Sequence, residues 1–173
     1  MYSTNSASLK RRIIALLIDY LIIVVYGALL FIISFSLGHP LTPLIENSAT
    51  GAQTAGFTLI TLPVFLYFFL MESSGLGGTI GKKNMGLKVV CINGLKLKRG
   101  KSFLRSLIKF LPWELAHFAV YRLIHPTSIG ESIIMMILVV VNIITVLYLI
   151  MPLFNRERKS VYDWIARTKV VKG

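Results

Sequence analysis

The sequence predicts an all-α membrane protein: four transmembrane helices, with a small cytoplasmic β-hairpin between the second and the third. Composition is the first observation. Of 173 residues, 55% are hydrophobic and 15% charged, and the mean hydropathy of +0.72 lies outside the soluble range. Charge segregation is the second. The nineteen Lys and Arg residues fall as three before residue 13, none from 13 to 81, nine from Lys82 to Lys109, one at Arg122 and six from Arg156 onward. Cations alternating with long apolar runs form a positive-inside pattern, which sets both termini in the cytoplasm of a multi-pass plasma-membrane protein.

The elements follow in order. Residues 13–37 hold one charge, Asp19, over more than the roughly 20 residues that cross a bilayer. The run is also longer than the roughly 7–15 residues of a signal-peptide core and no small-x-small site follows it, so it reads as an uncleaved anchor. Gly38, His39, Pro40 and Pro43 end it and open an outer loop. A second span covers 55–71. Pro63 inside it predicts a kink, because neighbouring groups can satisfy the carbonyl that proline frees. Residues 73–106 form a cytoplasmic loop. Within it Leu87–Ile92 and Leu95–Arg99 flank Asn93-Gly94, the dipeptide that supplies positive φ in a two-residue hairpin turn.

Residues 107–125 are a weak third span, burdened by Lys109, Glu114, His117, Arg122 and Pro112. Parity requires it. The fourth span, 132–154, carries no charge, and the six cations of the tail, 155–173, belong on the same side as the nine-cation loop.

Several function classes are disfavoured. A net charge of +12 suits nucleic acid, but the cations are juxtamembrane and not interleaved with aromatic platforms. Anionic lipid headgroups are the expected partner. Cys91 is a single cysteine, and no His or Cys cluster has metal-ligand spacing. In Gly75–Lys83 the position where a phosphate loop needs its first glycine is Leu76, and Lys83 replaces the magnesium-binding hydroxyl. Gly78, Thr79, Gly81 and Lys82 are expected to form a tight turn, with Lys82 and Lys83 on headgroups. No Ser-His-Asp set, HExxH or CxxC is present, so neither enzyme activity nor a cofactor is expected.

From Arg12 to Asp19 the chain resembles the RDD family of small prokaryotic membrane proteins, named for one Arg and two Asp. The resemblance continues through Thr79–Val90, Asn93-Gly94, Phe103 and Arg105, and Arg158–Val171. It maps the family's Arg and two Asp onto Arg12, Asp19 and Asp163. Two departures stand in the tail. Lys159-Ser160-Val161-Tyr162 replaces an amide or small polar residue and a Leu-His pair, and Ala166-Arg167 replaces the usual Ala-Gly. The resemblance implies an integral membrane protein, with transport as the usual suggestion for the family and cation/proton exchange in some of its members.

Two constellations could carry chemistry. Asp19 lies roughly 10 Å inside the first span at about 1.5 Å per residue, where an ionised carboxylate costs on the order of 2.5–3.5 kcal/mol unless it is paired or faces other helices. It reads either as a lock onto Arg12 or Arg105 or as a proton or cation site. Arg12, Asp19, Arg105 and Asp163 are expected to gather at the cytoplasmic boundary. Glu114, His117, Tyr121 and His125 share one face of the third helix, either as the wetted side of an interfacial helix or as a polar bundle interior. Arg122, about 80° off that stripe, is expected to snorkel outward. Four helices make a thin wall for a pathway, so a homo-oligomer or a membrane partner is expected. The alternative is an accessory or assembly protein whose basic hairpin and tail engage lipid or a cytoplasmic partner.

Overall fold

A computed structural model of the chain describes residues 7–173; residues 1–6 lie outside it. Helix α1 is Leu9–Ser36 and the short α2 is Thr42–Glu46. Helix α3, Ala49–Gly56, continues through a π turn, Phe57–Thr61, into α4, Leu62–Ser73. Then come α5, Ile80–Asn84, and strand β1, Leu87–Cys91. Helices α6, Arg99–Ile124, and α7, Glu131–Phe154, follow, with α8, Val161–Ile165, and β2, Thr168–Lys172, at the end. Among the described residues, three helices are long and apolar enough to cross a membrane: Leu9–Ser36, Ala49–Ser73 and Glu131–Phe154.

Helix α6 has 26 residues, about 39 Å at 1.5 Å per residue, and is the hub of the bundle. It packs against α3, α4, α7 and α8. It begins eight residues before the expected boundary at 107, because Ser102, Arg105 and Ser106 are buried and belong to its packed face. Its outward side carries exposed Phe103, Leu104, Leu107, Leu111, Val120 and Leu123. Polar inside and apolar outside is the reverse of a soluble helix. Helix α1 behaves differently. Only Ala15 and Asp19 are buried along it, and its principal packing is on the small α5.

The expected hairpin is corrected. A turn forms, but one residue earlier than expected: Ile92 and Asn93 are its central residues, the Gly94 amide donates to Cys91 O at 2.8 Å, and of the Asn-Gly pair only Gly94 takes positive φ, 77°. One bridge, Val90 to Lys96, follows, and then the second arm leaves the ladder and enters α6. The real partner of β1 is β2, antiparallel, with Leu87 opposite Lys172, Val89 opposite Val170 and Cys91 opposite Thr168. The reason is burial. Leu87, Val89, Cys91 and Val170 form one core with Ala7, Ala15 and Leu97 beneath the start of α1, and Val90 and Val171 are buried too. Of the second arm, only Leu97 is buried. A five-residue partner rich in Val excludes more apolar surface from water.

Each proline inside a long helix leaves a carbonyl four residues earlier without its amide, and in each case a hydroxyl from elsewhere donates to it. Tyr26 of α1 serves Leu59, four before Pro63, at 2.7 Å. Tyr148 of α7 serves Ile108, four before Pro112, at 2.8 Å. Ser160 serves Tyr148 O, four before Pro152, at 3.0 Å. These bonds tie helices together where an apolar surround makes an orphan carbonyl expensive.

Candidate functional site

The N-terminal ends of α1 and α6 and the C-terminal ends of α4 and α7 meet around α5 and α8, and there the charged side chains form one chain of contacts. Arg12 Nη2 lies 3.1 Å from Asp163 Oδ2. Arg105 Nη2 lies 3.2 Å from Asp163 Oδ1, and its Nε lies 3.3 Å from Glu72 Oε2. Lys82 Nζ then meets Glu72 Oε1 at 2.9 Å. Asp163, Arg105 and Glu72 are all buried. Such charges persist away from water only when paired and hydrogen-bonded. Asp163 also accepts from the Ser160 amide and the Thr168 hydroxyl, closing a capping box at the start of α8. The Arg105 guanidinium lies 4.8 Å from the centroid of the Tyr162 ring.

Asp19 is beside this chain and not part of it. Its carboxylate accepts from the Tyr67 hydroxyl at 2.8 Å, the Thr79 hydroxyl and the Gly81 amide at 2.9 Å. Tyr67 in turn accepts the Ile80 amide at 3.0 Å. The expectation that Asp19 locks α1 to Arg12 or Arg105 is therefore corrected: neutral donors hold it, and both arginines are committed to Asp163. A glycine at 81 makes this possible, since a Cβ there would stand 2.1 Å from the Ala15 carbonyl and 2.9 Å from the Asp19 carboxylate.

Between α1 and α7 a cavity of about 340 Å³ reaches these groups. Arg12, Lys82, Arg105 and Lys109 line it with one carboxylate, Asp19; Ile13, Leu16, Leu149 and Leu153 give it an apolar flank. Lys109 Nζ rests 3.3 Å from the Phe68 ring centroid. Among the described residues it makes no ion pair.

The second constellation assembles further along α6. Glu114 accepts from Gln53 at 3.3 Å and Thr61 at 2.9 Å, and stands 3.8 Å from His117 Nδ1. Among the described residues His117 Nδ1 is buried without a hydrogen bond, and the His117 ring lies 5.8 Å from that of Tyr121. The π turn presents Thr61 to Glu114, and Gly56 lies against the Tyr121 hydroxyl. His125 caps the helix beyond the cluster. Arg122 does not snorkel outward: it donates to Gln53 at 2.8 Å and lies 3.5 Å from the Phe118 ring centroid.

Sequence reasoning passed over Glu72, Tyr67 and Lys109 and set Lys82 on headgroups, whereas Lys82 pairs with Glu72. A signal existed for Glu72. It is one of only seven acids against nineteen cations, and a carboxylate at the end of an apolar run needs a partner.

Helices of membrane-crossing length, a hub helix with its polar side inward and a buried charge relay at one end define a helical membrane-type domain. The chain belongs to the RDD family, whose sequence profile matches residues 6–167. No curated protein and no solved structure matches it.

Proposed function

We propose that the chain is an integral membrane protein of four spans, α1, α3–α4, α6 and α7, with both termini cytoplasmic, and that its role is transport-related. The supporting observation is α6. Arg105, Lys109, Glu114, His117 and Tyr121 follow one another along it, while its exposed side is apolar. A polar interior built into a lipid-facing helix is how ion and proton pathways are lined. The exchangeable group in this reading is the Glu114–His117 pair, a carboxylate beside an imidazole. Asp19, with three donors on it, holds α1 in place.

The test is flux from purified protein in liposomes with an imposed pH gradient. Proton-coupled cation movement is expected, and Glu114→Gln is expected to abolish it while leaving the protein folded. Wild-type liposomes without flux of any tested cation overturn the transport reading and leave an accessory membrane protein. Topology is tested separately, after Cys91→Ala. Cysteine probes at Lys172 are expected to be shielded from outside reagent in intact cells, and probes at Asn47 to react. An externally labelled residue 172 means that α6 does not cross.

A further inference from the structure

We infer that the cavity between α1 and α7 is a binding site for the phosphate headgroup of one acidic membrane lipid, which enters sideways from the bilayer. Three independent observations carry this, and it rests on the membrane-spanning reading of α1 and α7.

Charge is the first. Four cations line the cavity, Arg12, Lys82, Arg105 and Lys109, and the carboxylates on them or beside them are Asp19, Glu72 and Asp163. Four against three leaves one positive charge, in a place where uncompensated charge is costly. A single phosphodiester anion balances it.

Unused donors are the second observation. Arg105 is 2% exposed and lines the cavity, yet among the described residues its Nη1 has no hydrogen-bond partner, and Arg12 Nη1 is likewise buried and without one. Lys109 presents its ammonium to the Phe68 ring and makes no ion pair among the described residues. Buried polar groups are ordinarily satisfied, and two guanidinium nitrogens with an ammonium are the donor set that phosphate oxygens accept from.

Shape is the third. Helices α1 and α7 have little direct packing, so the cavity opens between two helices whose exposed surfaces are apolar. Ile13, Leu16, Leu149 and Leu153 at that opening are each about half exposed. An acyl chain can leave along them while the headgroup stays on the cations. The volume, about 340 Å³, falls within the roughly 300–1,000 Å³ of small-ligand sites.

The experiment is native mass spectrometry and thermal unfolding of the full chain in neutral detergent, titrated with phosphatidylglycerol, phosphatidylcholine or soluble glycerol phosphate. One saturably retained phosphatidylglycerol, with a raised unfolding temperature, is expected. Lys109→Gln is expected to weaken it about tenfold or more, the effect of losing one charge contact. Leu149→Trp, which blocks the opening and keeps every charge, is expected to weaken it too. Arg156→Gln, at the basic surface, is expected to leave it unchanged. Equal retention of the two lipids, or equal loss in Arg156→Gln and Lys109→Gln, overturns the site. Full competition by glycerol phosphate, with Leu149→Trp silent, assigns the cations to a water-borne phosphate and overturns lipid entry. Insertion is read independently by the cysteine labelling, so a correctly inserted protein that ignores phosphatidylglycerol refutes this site alone.

Discussion

Arg12 and Asp19 are seven residues apart and about 20° from each other around the axis of α1, yet they take different partners. Arg12 meets Asp163 at 3.1 Å in the C-terminal segment; Asp19 accepts from Tyr67, Thr79 and Gly81 at the exit of α4. A helix with only Ala15 and Asp19 buried along its length is thereby fastened at two separate points. The family's Arg and first Asp, side by side in sequence pattern, belong to two devices.

That separation predicts the outcome of two double-mutant cycles in detergent. Asp19→Ala with Thr79→Val is expected to show a coupling of about 1.5–3 kcal/mol, the range for a hydrogen bond to a charged group. Asp19→Ala with Arg12→Gln is expected to be additive within about 0.5 kcal/mol. Strong coupling in the second cycle would mean that Arg12 answers to Asp19 after all.

Gly81→Ala tests the fit of α5 against α1. The added Cβ would lie 2.1 Å from the Ala15 carbonyl, which is backbone and cannot rotate aside. A loss of about 1–3 kcal/mol is expected from the forced shift, read as a lower unfolding temperature. Gly100→Ala, where a Cβ meets nothing within 4 Å, is the matched control. Equal effects at the two positions would dismiss the close approach.

Tyr148→Phe removes the hydroxyl that serves the Ile108 carbonyl and is expected to cost about 1–3 kcal/mol, the penalty of an unsatisfied buried acceptor. Pro112→Ala restores the backbone amide. In that background Tyr148→Phe is expected to cost less, since the helix now supplies its own donor. An unchanged cost would mean that the Tyr148 hydroxyl does not act by serving the carbonyl that Pro112 frees.

Arg167 has φ 52°, in the left-handed region that favours glycine. A side chain in the left-handed region costs roughly 1–2 kcal/mol, and Arg167 is exposed. Arg167→Gly is expected to stabilise the protein by up to about 1 kcal/mol, part of the relief being offset by the greater freedom of Gly in the unfolded chain. A net loss would show that the Arg167 side chain contributes more than its backbone costs.

By itself the sequence determined what local pattern can determine. Uninterrupted apolar length marked three helices, the periodic spacing of Glu114, His117 and Tyr121 put them on one face of a fourth, and Asn93-Gly94 marked a reversal of the chain, which closes one residue earlier, from the Gly94 amide to Cys91 O. Pro63 implied a kink served by a neighbour, and the neighbour is Tyr26. The tertiary structure alone decided partners. Whether β1 pairs with the arm four residues away or with a strand at 168–172 depends on which pairing buries Val90 and Val171, a comparison of long-range surfaces that no window contains. Whether Asp19 answers to an arginine or to Tyr67, Thr79 and Gly81 depends on where α5 docks, and that docking hangs on one missing Cβ. Lys109 read as a burden on a span; only the packed bundle reveals it as an uncommitted cation beside two arginines with donors to spare. Periodicity is written in neighbouring residues, whereas charge pairing is settled by which helix ends meet in space.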